Sequence, residues 1–176
     1  MVLKDHARIL SAINAAGHIA GRKKLQKMVF ISKKLDYPFH EKFEFHFYGP
    51  YSEELTLKIE ELCNLGLLNE SKDKQNGYAQ YEYTLTEAGE EFLALYGNED
   101  QKDEGLAGCL KELNGQNARF LELVSTIFYF DHLTKEEVIE KVHQLKAKQH
   151  YTPEEIEEAF MYADQLMCDN KPVSVN

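Results

Sequence analysis

His6, His18, His40, His46, His132, His143 and His150 are the side chains best suited to moving a proton or holding a metal at neutral pH, and they are scattered along the chain. His40 and His46 flank an aromatic stretch and could meet Glu41 or Glu44, but no nucleophile or metal ligand accompanies them. Cys63, Cys109 and Cys168 are odd in number and far apart, with no Cys-x-x-Cys or Cys/His spacing, so they read as free thiols and not as a zinc site or a disulfide framework. No Gly-rich phosphate loop, Gly-x-Ser-x-Gly or His-Glu-x-x-His is present. The expectation is a protein that is not an enzyme and that uses no metal or cofactor.

Recognition is better represented than catalysis. Arg22, Lys23, Lys24 and Lys27 crowd one short stretch, and residues 1–35 hold 8 basic residues and 1 acidic, a net of +7. Residues 97–176 carry a net of −8, most of the −10 of the whole chain. The basic stretch has three readings: a long-stemmed solvated face over the core, a phosphate contact, or a contact with an acidic partner. Glu136, Glu137, Glu140, Glu154, Glu155, Glu157 and Glu158 could supply that acidic surface within one chain or across a homodimer, although charge at helix amino termini also explains them. Tyr48-Gly49-Pro50-Tyr51 is a second recognition candidate. Its tyrosines can anchor a protein partner, or can cover the edge of the core while Gly and Pro set a turn.

The elements that position these residues follow from periodicity. Leu3, Ala7, Leu10 and Ile13 predict a helix over 3–16, and Leu25, Met28, Val29, Ser32 and Leu35 a second over 21–35, with its lysines on the flanks and outer face. Phe43, Phe45 and Phe47 alternate with Glu44, His46 and Tyr48 as in a half-buried strand, which Gly49-Pro50 should break. Ser52-Glu53-Glu54 caps a third helix, over 52–65, with Leu55, Ile59 and Leu62 inward and Gly66 as its stop. Strands over 67–72 and 78–85 are joined across Asn76-Gly77, and Thr86 caps a fourth helix. Residues 97–105 read as an acidic linker. Beyond it Phe120, Leu121, Val124, Ile127 and Phe128 form one helical stripe. Thr134-Lys135-Glu136-Glu137 and Thr152-Pro153-Glu154-Glu155 are capping boxes for helices that bury Val138, Val142 and Leu145, and Ile156, Ala159, Phe160, Ala163, Leu166 and Met167.

Helix, helix, strand, helix, hairpin, helix is the order of a winged helix-turn-helix domain. Tyr83-Thr84-Leu85-Thr86-Glu87-Ala88-Gly89-Glu90-Glu91-Phe92-Leu93 resembles the passage with which the wing of many bacterial regulators returns into a helix, with a glycine where helix and sheet approach closely. The expected class is α+β, mostly helical: a winged-helix domain at 1–96 and a helical domain or dimerisation arm at 106–170. Residues 21–28, 45–55 and 60–66 look like the YwgA family of Bacillus and relatives. More distantly, Lys24-Leu25-Gln26-Lys27 followed by Tyr48-Gly49-Pro50-Tyr51-Ser52-Glu53-Glu54-Leu55 is similar to the Panacea domain of SocA-like antitoxins, over about residues 20–66. That second resemblance implies a protein that binds a partner protein, neutralising a toxin or presenting it to a protease.

Charge separates the function classes. The helix opening Ser52-Glu53-Glu54 stands where a recognition helix would approach DNA, yet its first turn has two carboxylates and no Arg, Asn or Gln to read bases. The expectation is a cytoplasmic regulatory or adaptor protein that binds another protein in preference to DNA. The alternative is a DNA-binding transcriptional regulator using the basic second helix and the wing. The longest apolar runs are only a few residues, so no membrane span is expected.

Overall fold

In a computed structural model, which describes residues 3–75, 78–97 and 104–170, the chain is mostly helical with two small antiparallel sheets, an α+β arrangement. Helix α1 (Leu3–Ala16) leads through strand β1 (Ile19–Ala20) into α2 (Arg22–Lys34). A short hairpin, β2 (Glu44–His46) and β3 (Gly49–Tyr51), precedes α3 (Glu53–Asn64). Strands β4 (Leu68–Gln75) and β5 (Tyr78–Leu85) follow, then α4 (Glu87–Tyr96). The remainder is α5 (Leu106–Asn114), α6 (Ala118–Tyr129), α7 (Lys135–Leu145), a single 3-10 turn at Ala147–Gln149 and α8 (Pro153–Asp169). The larger sheet has the order β1-β5-β4, with Ile19 opposite Tyr83 and Leu68 opposite Leu85.

Local chemistry places most boundaries. Ser52 Oγ accepts the Leu55 N–H and Thr86 Oγ1 accepts the Gly89 N–H, so each cap satisfies a donor that the helix itself leaves free. Thr152 and Glu155 form a complete capping box with Pro153 in the first turn. At Thr134 only half of the expected box forms: its hydroxyl accepts the Glu137 N–H, but the Glu137 carboxylate meets that same hydroxyl and not the backbone of Thr134. Gly89 is required by close approach, because a Cβ there would lie 2.1 Å from the Leu67 carbonyl oxygen.

Helix α2 is central. Every residue from Leu25 to Ser32 is buried, because β1, β3, α5 and α6 all pack against it. The expected stripe is buried but is not one-sided, and Lys27, 3% exposed, belongs to the interior and not to a flank. Helix α6 is buried nearly all round for the same reason, and one apolar cluster runs from Leu10 and Met28 to Val124 and Ala159. Leu145 and Met167 fall outside the core, 47% and 46% exposed. Each stands near the carboxyl end of its helix. The expected Asn76-Gly77 turn and residues 98–103 of the expected linker lie outside the described residues.

The aromatic strand departs most from its periodicity. Gly49 and Pro50 do not break it but start its partner: Phe45 faces Pro50 and His46 faces Gly49, so the turn is Phe47-Tyr48. Phe43 and Phe45 are half-buried as alternation requires, packing on Phe30, Tyr129 and Phe130 with ring centroids 5.1–5.3 Å apart. Phe47 occupies a turn position and is 67% exposed.

Candidate functional site

Two stretches about twenty residues apart in sequence meet in the fold. Gln26, on the buried face of α2, clamps the backbone of Ser52: its Nε2 donates to the Ser52 carbonyl at 3.0 Å, and its Oε1 accepts the Ser52 N–H at 2.8 Å. From the next position of α2, Lys27 Nζ donates to the Pro50 carbonyl at 3.1 Å. The Gly49 Cα closes over Lys27, where a Cβ would sit 3.3 Å from Lys27 Cε at a φ of +93°. The Tyr-Gly-Pro-Tyr-Ser segment is thus held through its main chain by two side chains of α2. Gly49 and Pro50 are buried, Tyr51 is half-buried, and Tyr48 is 49% exposed.

A second lysine completes the pedestal. Lys146, at the carboxyl end of α7, turns inward until its side chain is 1% exposed, and its Nζ donates to the Phe47 carbonyl at 2.8 Å and to Glu122 Oε1 at 2.7 Å. Two ammonium groups therefore hold the two ends of the Phe47-Tyr48 turn, and Glu122 of α6 balances them. Burial lowers the Lys27 amine to about 8, an effect that Glu122 opposes and Lys146 reinforces. Neither Lys146 nor Glu122 belongs to a sequence motif. Glu122 stands alone among apolar residues of α6, which hints at burial, but Lys146 lies in a polar stretch with Gln144, Lys148 and Gln149 and nothing local marks it.

The lowered Lys27 amine makes stability depend on pH. Its folded-state value, about 8, lies below the ordinary lysine value of 10.5, so between these limits the unfolded chain binds more protons. Stability therefore rises as pH increases from 8 to 10.5. Lys27→Met removes this titration. The urea-unfolding free energy of the natural protein, measured against that of Lys27→Met, should gain up to about 3 kcal/mol between pH 7 and pH 10. A difference that stays flat would mean that Lys27 is not charged and buried as described.

The other basic candidates are also engaged inside the molecule. Arg22 donates to Glu70 at 2.9 Å and to the Tyr83 hydroxyl at 3.2 Å, and lies 3.8 Å from the centre of the Tyr81 ring. Burial, and then the bond to Glu70, push the Tyr83 phenol up. Lys23 Nζ stands 3.2 Å over the Tyr48 ring. Lys24 donates to the Asn114 carbonyl at the end of α5, at 2.6 Å. Further along α2, Lys34 pairs with Asp131 at 3.0 Å. Glutamates of the carboxyl-terminal helices pair with basic residues of that same region, Glu155 with Arg119 and Glu157 with Lys135, and these pairs are not made with α2.

His46 lies 3.9 Å from Glu44 on an exposed edge, and His40 is exposed. Among the described residues no three His, Cys, Asp or Glu side chains gather as a metal site. All three cysteines are free thiols, and burial pushes Cys109 up to about 11. Among the described residues no helix is long and apolar enough to cross a membrane.

No protein-family model matches the chain. Over 165 residues, 94% of its length, it is 54% identical to a Bacillus subtilis (strain 168) protein described as uncharacterized protein YwgA, of which the match covers 98%. The match is nearly full length in both, so it takes in α2, the hairpin and the helices that carry Glu122 and Lys146, and the chain belongs to the YwgA family.

Proposed function

We propose that the chain is a non-enzymatic regulatory or adaptor protein of winged-helix type whose partner is another protein, met at the Phe47-Tyr48 hairpin. The observation that carries this reading is an inversion of exposure. The large apolar rings at the turn face solvent, while the lysines beneath them are buried. Water-facing aromatics on a rigid support are the usual anchors of protein interfaces, and the support keeps the ordering entropy lost on binding small. The resemblance of residues 20–66 to a partner-binding antitoxin domain agrees with this reading.

A DNA-binding regulator is the second reading. It is favoured by the element order and by the sheet order β1-β5-β4, in which a first strand pairs with the returning strand of a hairpin. Against it stand the carboxylates of Glu53 and Glu54 in the first turn of α3 and the internal engagement of Arg22, Lys24 and Lys27. The test is retention of a mixed-sequence duplex in about 50 mM salt, where nonspecific phosphate contacts are strongest. The expected result is no retention by the natural protein. Binding that weakens steeply with salt and is lost in Lys23→Glu with Lys72→Glu, which removes an exposed lysine of α2 and one of wing strand β4, would replace the protein-partner reading with the second one.

A further inference from the structure

We propose that the hairpin tip takes an acidic peptide segment, one whose carboxylates lie close to an apolar side chain; this rests on the protein-partner reading and deepens it. Phe47 and Tyr48 occupy both turn positions of the hairpin, 67% and 49% exposed, with their rings edge to face at 5.1 Å and 87°. Each ring has a lysine of its own. Lys23 of α2 stands 3.2 Å over Tyr48, and Lys148, in the 3-10 turn after α7, stands 5.7 Å from the centre of Phe47. Both lysines are exposed. They come from elements far apart in sequence, and the fold brings both to two rings at one turn.

This arrangement sets the chemistry of the occupant. An ammonium over a ring keeps its outer hydrogens free, so a carboxylate can bind it without displacing the contact. The ring edges left bare between the lysines are apolar and accept an aliphatic or aromatic side chain. A nucleic-acid base fits less well, because stacking needs a ring face and Lys23 already covers a face of Tyr48. Length separates the two occupants as well. A nucleic acid presents a long row of phosphates to a chain of net charge −10, whereas a short acidic segment meets only the local field of Lys23 and Lys148. The turn needs no ordering on binding, since Lys146 and Lys27 already fix the carbonyls of Phe47 and Pro50.

The test uses the full chain, immobilised and panned against displayed random dodecapeptides in about 50 mM salt, a concentration that leaves surface charge unscreened over several residues. Selected peptides are synthesised with a fluorophore and titrated by anisotropy, with oligothymidylate as competitor. The expected result is enrichment of peptides that carry two or more Asp or Glu beside an apolar residue. Their affinity should fall at least about tenfold in Phe47→Ala with Tyr48→Ala. A fall of similar size, about tenfold, should follow Lys23→Gln with Lys148→Gln. All four positions are exposed, and unchanged melting by circular dichroism confirms that each variant folds. No enrichment, enrichment without acidic residues, affinity indifferent to the lysines, or displacement by oligothymidylate overturns the inference. Neutral peptides that still depend on Phe47 and Tyr48 would remove the acidic partner and keep the protein partner. Duplex binding with no peptide selected would remove both.

Discussion

Glu122→Gln lowers the stability of this protein at pH 7 by about 3–5 kcal/mol, the usual cost of removing one partner from a buried charge pair. The side chain is 16% exposed, and the two amines that it balances, Lys27 and Lys146, are buried more deeply still. Gln keeps the shape and can still accept the Lys146 hydrogen bond, so nearly all of the loss is electrostatic. It leaves two ammonium groups inside the protein with their shared counter-charge gone. One further substitution and one change of pH isolate the cause. Lys27→Met in the Glu122→Gln background removes one uncompensated charge and should recover part of the loss, although each change alone destabilises. Raising the pH to about 9 should do the same without mutation, because the Lys27 amine, already lowered to about 8, gives up its proton. Urea unfolding of the four proteins at pH 7 and pH 9 measures all of this. A loss below about 1 kcal/mol for Glu122→Gln at pH 7, the level of an exposed pair, would show that water reaches these charges and that no buried pedestal exists.

The pedestal explains why the sequence disclosed its motifs but not their use. Helix ends, caps and the β4–β5 hairpin strands are decided by neighbours in sequence: Ser52 with Leu55, Thr86 with Gly89, Thr152 with Glu155. Such pairs follow from spacing alone. Lys27 is different. On a single helix its spacing puts it at the edge of the apolar stripe, and only α6 and β3, packed on that edge, make it interior. The partners of the turn, Lys146 and Glu122, stand 99 and 75 positions beyond Phe47, so no local pattern connects them to it. Periodicity also misplaced the turn. Phe43, Phe45 and Phe47 alternate, but a two-residue hairpin turn ends the strand at His46, and the third ring leaves the core. Gly49 and Pro50 looked like the break because glycine and proline commonly punctuate chains. Here Gly49 gives α2 room for a lysine, and Pro50 offers that lysine a carbonyl. The exposed ring pair is therefore Phe47-Tyr48, one step earlier than the Tyr48–Tyr51 segment singled out from sequence, and the buried half of that segment is its mount.

The mount has one more fixing point, and its removal is the second large effect. Gln26→Ala should destabilise the chain by about 3 kcal/mol, because the Ser52 N–H then loses the partner that the fold gives it, in a place where neither residue meets water. The Ser52 carbonyl suffers less, since it also accepts the Thr56 N–H of α3 at 3.2 Å. The informative variant is Gln26→Glu. A protonated Glu reproduces the pair of bonds that faces Ser52, its hydroxyl toward the Ser52 carbonyl and its carbonyl toward the Ser52 N–H, and lacks only the second donor that Gln26 gives to Thr56 Oγ1. An ionised Glu repels that carbonyl and is charged in a dry site. Its folded-state value must then lie above the ordinary carboxylate range, so the stability it lends is present at low pH and lost as pH rises through that value. Gln26→Glu should be as unstable as Gln26→Ala at pH 7 and regain most of the difference at about pH 5, when natural protein and both variants are compared at each pH. Equal behaviour of Glu and Ala at both values would mean that the amide merely fills space. A recovery confined to Glu would show that α2 grips the segment through two directed hydrogen bonds, which is what a turn carrying two water-facing rings requires to present them in one fixed orientation.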